Sequence, residues 1–225
     1  MDKAGVLVQG YEYKNTMITW YHYPYQKKHL EELGLVKQAE WVEYQIKIFK
    51  AEDAPKKVKK YAKLISKRYE LSALEFSTRK ELVPYVDKMF DLLNKTYNNL
   101  QSFVPIQPYQ IAHYKEKYLT YIHPRCIKCV ADKSGNLIAF AITMPSFSEA
   151  LKKVNGSLYP FGFLHIMRAL RKNNRPSFYL IGIDPAYQNK GVTAILFDAI
   201  QKMFNAQGIT AVSYTHLTLP TTTIV

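Results

Sequence analysis

Cysteine is nearly missing from this chain, with two thiols, Cys126 and Cys129, in 225 residues. A small secreted fold stapled by disulfides is therefore not expected, because such folds need several pairs. No run of about 18 apolar residues occurs, so no helical membrane span is expected. The first residues, Met1-Asp2-Lys3-Ala4-Gly5-Val6-Leu7-Val8, lack the basic start and long apolar middle of a secretory leader. These absences make the cytoplasm the expected compartment and leave no membrane partner in view. Acidic residues are also short, 18 Asp and Glu against 31 Lys and Arg, a net charge of +13.

Such an excess favours polyanions, whether nucleic acid, an anionic membrane face or phosphorylated ligands. The cations are scattered, however. Their densest group, Lys56, Lys57, Lys59, Lys60, Lys63, Lys67 and Arg68, lies on a segment whose apolar stripe is Val58, Tyr61, Ala62 and Ile65. That spacing predicts a helix with a solvated basic face, so nucleic acid is not the expected partner. The total of 48% hydrophobic residues is ample for a core, in one large domain or two small ones.

Charge disappears at the far end. The last 14 residues contain no Asp, Glu, Lys or Arg, although the chain as a whole is 22% charged. The run Val212-Ser213-Tyr214-Thr215-His216-Leu217-Thr218-Leu219-Pro220-Thr221 resembles a translated adapter from a shotgun sequencing library. Residues 212–225 are therefore expected to be a non-native tail, outside fold reasoning.

The most informative stretch runs from Ser177 to Phe204. An apolar run, Phe178-Tyr179-Leu180-Ile181-Gly182-Ile183, stops at Asp184-Pro185. A polar loop, Ala186 to Thr193, precedes an amphipathic helix with Ile195, Leu196, Ala199, Ile200, Met203 and Phe204 on one face. A buried strand turning sharply into a helix aims unpaired amides and the positive end of the helix dipole at one point, a geometry that binds phosphate. The plain alternative is an ordinary strand-to-helix turn.

Elsewhere, strands are expected at 5–10, 16–20 and 41–48, with Val42, Tyr44, Ile46 and Ile48 on one face of the last. A short helix opens at Pro24 and stops at Gly34. After a linker at 51–55 come the basic helix 56–69, a strand 71–76, and helices 80–97 and 107–119. Strands 127–131 and 137–144 meet at the hairpin turn Asp132-Lys133-Ser134-Gly135. Ser146-x-x-Glu149 reads as a capping box opening a helix. A second helix, 160–171, is apolar through Phe163, Ile166, Met167 and Leu170.

The spacing Gln188-x-x-Gly191 between strand and helix resembles the pyrophosphate loop of the GNAT N-acyltransferases, usually Gln/Arg-x-x-Gly-x-Gly/Ala, with Thr193 here at the last position. The order strand, two helices, hairpin, strand, loop and helix is also similar to a GNAT domain, apart from a helical insert at 147–174. Several stretches resemble a bacterial family of tandem GNAT proteins: Val6-x-Val8-x-Gly10-Tyr11, Tyr23-Pro24-Tyr25 with His29-Leu30-Glu31-x-Leu33-Gly34, Leu158-Tyr159-Pro160-Phe161-Gly162, and Tyr187-Gln188-Asn189-Lys190-Gly191-Val192. The resemblance implies an α/β fold, an α+β mixed sheet of GNAT type, truncated at both ends. Residues 1–50 would be the remainder of a first domain, 51–69 a linker and basic helix, and 70–211 a second domain lacking its last strands.

It further implies acetyl-CoA or another acyl-CoA as co-substrate, with no metal, and a small-molecule or peptide amine as acceptor. Gln188, Asn189, Lys190, Gly191, Val192 and Thr193 would hold the pyrophosphate. The main chain of Leu180, Ile181, Gly182 and Ile183 would receive the pantetheine like an extra strand. On this reading Gly191→Trp should abolish acetyl-CoA binding. No general base is visible, since the strand has no Asp or Glu before Asp184, and Tyr179 could serve only as a weak acid. No catalytic residue is assigned. A degenerate CoA-binding scaffold and a basic nucleic-acid-binding protein stand as alternatives, and a homo-oligomer is left open. Cys126-x-x-Cys129 has no second pair or histidine at finger spacing, and reads as two buried or half-buried free thiols. Trp20-Tyr21-His22-Tyr23-Pro24-Tyr25 reads as the packing of a domain edge.

Overall fold

The computed structural model describes residues 5–16, 19–37, 39–50, 52–53, 55–98, 103–118, 122–173 and 175–218. In chain order the elements are α1 (Pro24–Glu32), β1 (Glu40–Lys47), α2 (Lys56–Tyr69), β2 (Leu71–Glu75), α3 (Arg79–Tyr97), α4 (Pro108–Tyr118) and β3 (Ile127–Asp132). They continue with β4 (Leu137–Pro145), α5 (Ser148–Lys153), α6 (Gly162–Arg171), β5 (Pro176–Ile183), α7 (Val192–Ala206) and β6 (Ala211–Thr218). Strand pairing is mixed: β1 with β6, β2 with β3 and β3 with β4 run antiparallel, and β5 meets β6 in parallel. The fold is α/β of the mixed-sheet kind.

Two compact units are made from discontinuous segments, one from 1–47, 145–177 and 211–225, the other from 48–144 and 178–210. In the second unit the strands lie in the order β5-β4-β3-β2. Strand β3 is buried on both faces. Ile127 and Cys129 join Phe140 and the α3 residues Leu82, Val86, Met89, Leu92 and Leu93 in one core. The opposite face goes to α7, which packs on β2 and β3 and also against α2. The predicted apolar face of α7 is all buried: Ile195, Leu196, Ala199, Ile200, Met203 and Phe204.

Local signals explain most boundaries. Helix α1 ends as expected at Gly34, whose φ of +81° allows the left-handed turn, with Leu35 N–H donating to the Leu30 carbonyl at 3.1 Å. The β3–β4 turn is held by Asp132, whose carboxylate accepts from the amides of Ser134 and Asn136, both at 2.9 Å.

Several expectations change. Residues 5–10 form no strand: Gly5 and Gly10 both have positive φ, Leu7 N–H donates to His22 Nδ1, and the Leu7 carbonyl accepts from Tyr11 Oη. Side chains thus meet the backbone hydrogen-bonding need that a strand partner would otherwise fill. Of the strand expected at 16–20, residues 17 and 18 lie outside the described residues, and 16, 19 and 20 are not in a strand. The capping box at Ser146 is not formed either. Helix α5 starts two residues later, the Ser146 hydroxyl donates to the Ser148 hydroxyl and accepts from its amide, and Glu149 pairs with Lys14. A full capping box appears instead at Thr78 and Glu81, at the head of α3.

In the first unit β1 and β6 pair from Glu40↔Thr218 to Lys47↔Ala211, so residues 212–218 of the expected tail run as a strand. Tyr44 and Tyr214 stack across this pair at 6.3 Å. Strand β1 is largely exposed, including Trp41, Tyr44 and Ile46, rather than half-buried. The aromatic stretch before α1 forms a chain of ring contacts, Tyr21 to Tyr23 to Tyr25, and these rings are also exposed.

Candidate functional site

Strand β5 ends at Ile183, and the chain reverses through a short 3-10 turn, Pro185–Tyr187. Asp184 caps that turn by accepting from the Ala186 amide at 2.9 Å. Asn189 and Gly191 then take left-handed conformations, φ +61° and +77°, and α7 begins at Val192. A left-handed residue followed by a helical one makes successive amides converge, a concave anion nest. The amides of Val192 and Thr193 head the helix, where no preceding turn can supply them acceptors.

A cavity of about 320 Å³ opens at this point, lined by Ile183, Tyr187, Gln188, Asn189, Gly191, Val192 and Thr193. Six of the ten residues expected at the site are therefore brought together. Lys190 stands beside them, its Nζ 5.1 Å from the Tyr187 ring centre and 5.7 Å from that of Tyr69. Such cation–π contacts hold the ammonium near the loop without neutralising it. Gln188 braces the turn, with its Nε2 donating to the Ile183 carbonyl at 3.2 Å and its amide to the Asp184 carbonyl at 3.1 Å.

The β5 residues play different parts. Leu180 packs on the main core. Gly182 is buried with a Cβ position 2.6 Å from Phe140, so its small size serves packing. Asp184 N–H donates to the Ile138 carbonyl of β4, which by strand alternation turns the main-chain groups of Ile181 and Ile183 away from β4. Those carbonyls are already engaged. Tyr97 Oη donates to the Ile181 carbonyl at 2.7 Å, and Thr96 Oγ1 to that of Ile183 at 3.2 Å. With Gln188 also bound, both lone pairs of the Ile183 carbonyl are taken, whereas the Ile181 carbonyl carries one side-chain donor.

The end of α3 is therefore part of the site, and nothing in the sequence marked it. Burial pushes the Tyr97 phenol above its ordinary range. Burial also works against charge on Asp184, but the hydrogen bond from Lys95 Nζ at 2.7 Å and that from the Ala186 amide hold its carboxyl below the usual value. Helix α2 is a second unmarked contributor: a Cβ on Gly191 would lie 3.2 Å from Tyr61 and 3.3 Å from Ile65. Tyr179 is 41% exposed on β5. Of the seven lining residues only Tyr187 is titratable, so among the described residues the lining supplies no carboxylate or imidazole base.

The two cysteines are free thiols, Cys129 buried and Cys126 partly so. Burial raises both, Cys129 to about 12. Among the described residues no group of three or more His, Cys, Asp and Glu is placed to hold a metal ion.

No family model matches the chain. It is 21% identical over 216 residues to Protein YghO of Escherichia coli (strain K12), an alignment covering 93% of this chain and 54% of that protein, so the chain spans about half the length of this curated relative. Among solved structures, a GCN5-related N-acetyltransferase from Sphaerobacter thermophilus superposes with a TM-score of 0.52 at 8% identity, over 89% of this chain and 49% of that one. The fold is that of the GCN5-related N-acetyltransferases. A GCN5-related N-acetyltransferase from Kribbella flavida matches with a TM-score of 0.36 at 10% identity, over 63% of this chain and 69% of that one. Within this GNAT fold, β5, the loop 188–193 and α7 are the strand, turn and helix that the sequence resemblance singled out.

Proposed function

We propose that the loop 188–193 binds the pyrophosphate of an acyl-CoA, and that the protein containing this chain transfers the acyl group, acetyl in the simplest case, to an amine. The observation that carries the reading is the left-handed Gly191 at the head of α7, beside the cavity lined by Gln188, Asn189, Val192 and Thr193. Converging amides and the helix dipole bind the diphosphate, and Lys190 adds a full charge. Each exposed contact of this kind contributes about 0.3–1 kcal/mol, so several must act together.

Transfer requires the amine nitrogen, in its neutral form, to attack the thioester carbonyl. A C–N bond forms, the C–S bond breaks, and the amine proton leaves as CoA departs as thiol. Holding the two reactants together supplies a large part of the barrier reduction. The absence of a carboxylate or imidazole from the cavity lining favours a second reading, a CoA-binding scaffold without turnover. Incubation with acetyl-CoA and a panel of amines, with free thiol measured, separates the two. Amine-dependent thiol release supports the transferase, and saturable CoA binding without release supports the scaffold.

A further inference from the structure

The insert between β4 and β5 presents an apolar surface that the fold leaves open. Helix α6 turns inward through Gly162, which is buried with a Cβ position 2.0 Å from the Ser157 carbonyl oxygen, and through Ile166 and Ala169, which are half-buried. The stripe Phe163, Met167 and Leu170, which helical spacing places together, is 42–45% exposed. The turn leading into the helix adds Tyr159 and Phe161, 83% and 70% exposed. Single exposed apolar residues are ordinary, but a contiguous set of this size marks an interaction surface.

Charge identifies the partner. From Ser146 to Arg175 the chain carries Lys152, Lys153, Arg168, Arg171, Lys172 and Arg175 against one carboxylate, Glu149, which is engaged by Lys14. Arg168 and Arg171 stand in the last turn of the same helix, Arg171 on the side next to the exposed stripe. A second copy of this chain would bring like charges together across such a face, which disfavours self-association. Protruding aromatic and aliphatic side chains on a segment rich in cations match an anionic lipid surface, where the rings enter the headgroup boundary and the cations meet phosphates.

We propose that the α5–α6 hairpin is a docking element for an anionic membrane surface. No helix among the described residues is long and apolar enough to cross a membrane, and this mode of attachment needs none. The expectation of no membrane partner rested on the missing span and the missing leader, neither of which a helix lying in the interface requires. The inference does not depend on the acyl-CoA reading.

The test is co-sedimentation of the whole chain with phosphatidylcholine vesicles, with and without phosphatidylglycerol, at low and high salt. Binding is expected only with phosphatidylglycerol and is expected to fall at high salt. Arg168→Ala with Arg171→Ala should weaken it roughly thirtyfold, at about 1 kcal/mol for each cation near the surface. Phe161→Ser with Phe163→Ser, both at exposed positions, should abolish it while leaving the circular dichroism spectrum unchanged. No binding to anionic vesicles, equal binding to neutral ones, or binding indifferent to both double variants overturns the proposal. So does a dimer that the Phe161/Phe163 variant dissociates in the absence of vesicles.

Discussion

Gly191 and Tyr61 lie so close that a Cβ on the glycine would sit 3.2 Å from the tyrosine ring. The glycine of the phosphate loop thus answers to two demands, the left-handed turn and the seating of α2. Its φ of +77° penalises any L side chain by about 1–2 kcal/mol. Gly191→Ala is expected to lower stability by at least that amount in denaturant unfolding. Tyr61→Ala combined with it should recover only the steric part. Gly191→Trp is consequently a poor probe of ligand binding, because it would force α2 away whether or not acyl-CoA binds there.

Gly182 makes a sharper case on the core side. A methyl group there would meet the Phe140 ring at 2.6 Å, and Phe140 is 1% exposed. Gly182→Ala should destabilise by about 1–3 kcal/mol, the usual cost of overpacking. Gly182→Ala with Phe140→Leu should restore part of that loss. Equal stability of the single variant and the wild type in urea would contradict this packing.

These two glycines show what could be read from the sequence and what could not. The strand, turn and helix around Gly191 were legible because apolar periodicity and polar loop residues are local signals. That Tyr61, Ile65, Thr96 and Tyr97 would converge on the same place was not, because distant segments meet only through tertiary packing. The same limit explains the capping boxes. Ser146-x-x-Glu149 has the right residues, but Lys14 claims the glutamate, whereas the Glu81 carboxylate accepts from the Ser77 and Thr78 amides and closes the box. Residues 5–10 have strand-like composition, yet the positive φ of Gly5 and Gly10 and the contacts of His22 and Tyr11 hold them in an irregular path.

The thiols should be unreactive in the native state. Cys129 is raised to about 12 by burial, and Cys126 is raised as well. A disulfide-exchange reagent at mildly alkaline pH should titrate neither thiol until denaturant is added, then both. The sign of the linkage follows: stability from the buried neutral Cys129 is fully present below pH 9 and is lost as pH rises towards about 12. Rapid native labelling of Cys129 would refute its burial.

Asp184 behaves in the opposite sense. Its carboxyl is held below the ordinary value of 3.8, so the stability it contributes is present above that pH and is lost as pH falls through the lower folded value. Lys95→Met should raise the carboxyl towards its ordinary range, read by following Asp184 through an acid titration by NMR. On the neighbouring contact, Tyr97→Phe should cost about 0.5–1.5 kcal/mol, the net worth of one hydrogen bond, because it leaves the Ile181 carbonyl without that donor.

The most direct test of the acyl-CoA loop is calorimetric titration of acetyl-CoA into the chain and into its Lys190→Glu variant. Lys190 is exposed, so the substitution leaves the fold intact. Saturable binding is expected for the wild type. Weakening of roughly three- to thirtyfold is expected for the variant, since an exposed charge contact contributes about 0.3–1 kcal/mol and charge reversal replaces that attraction by a comparable repulsion. No binding by the folded wild type, or equal affinity of the two proteins, would contradict the assignment of residues 188–193 to the pyrophosphate.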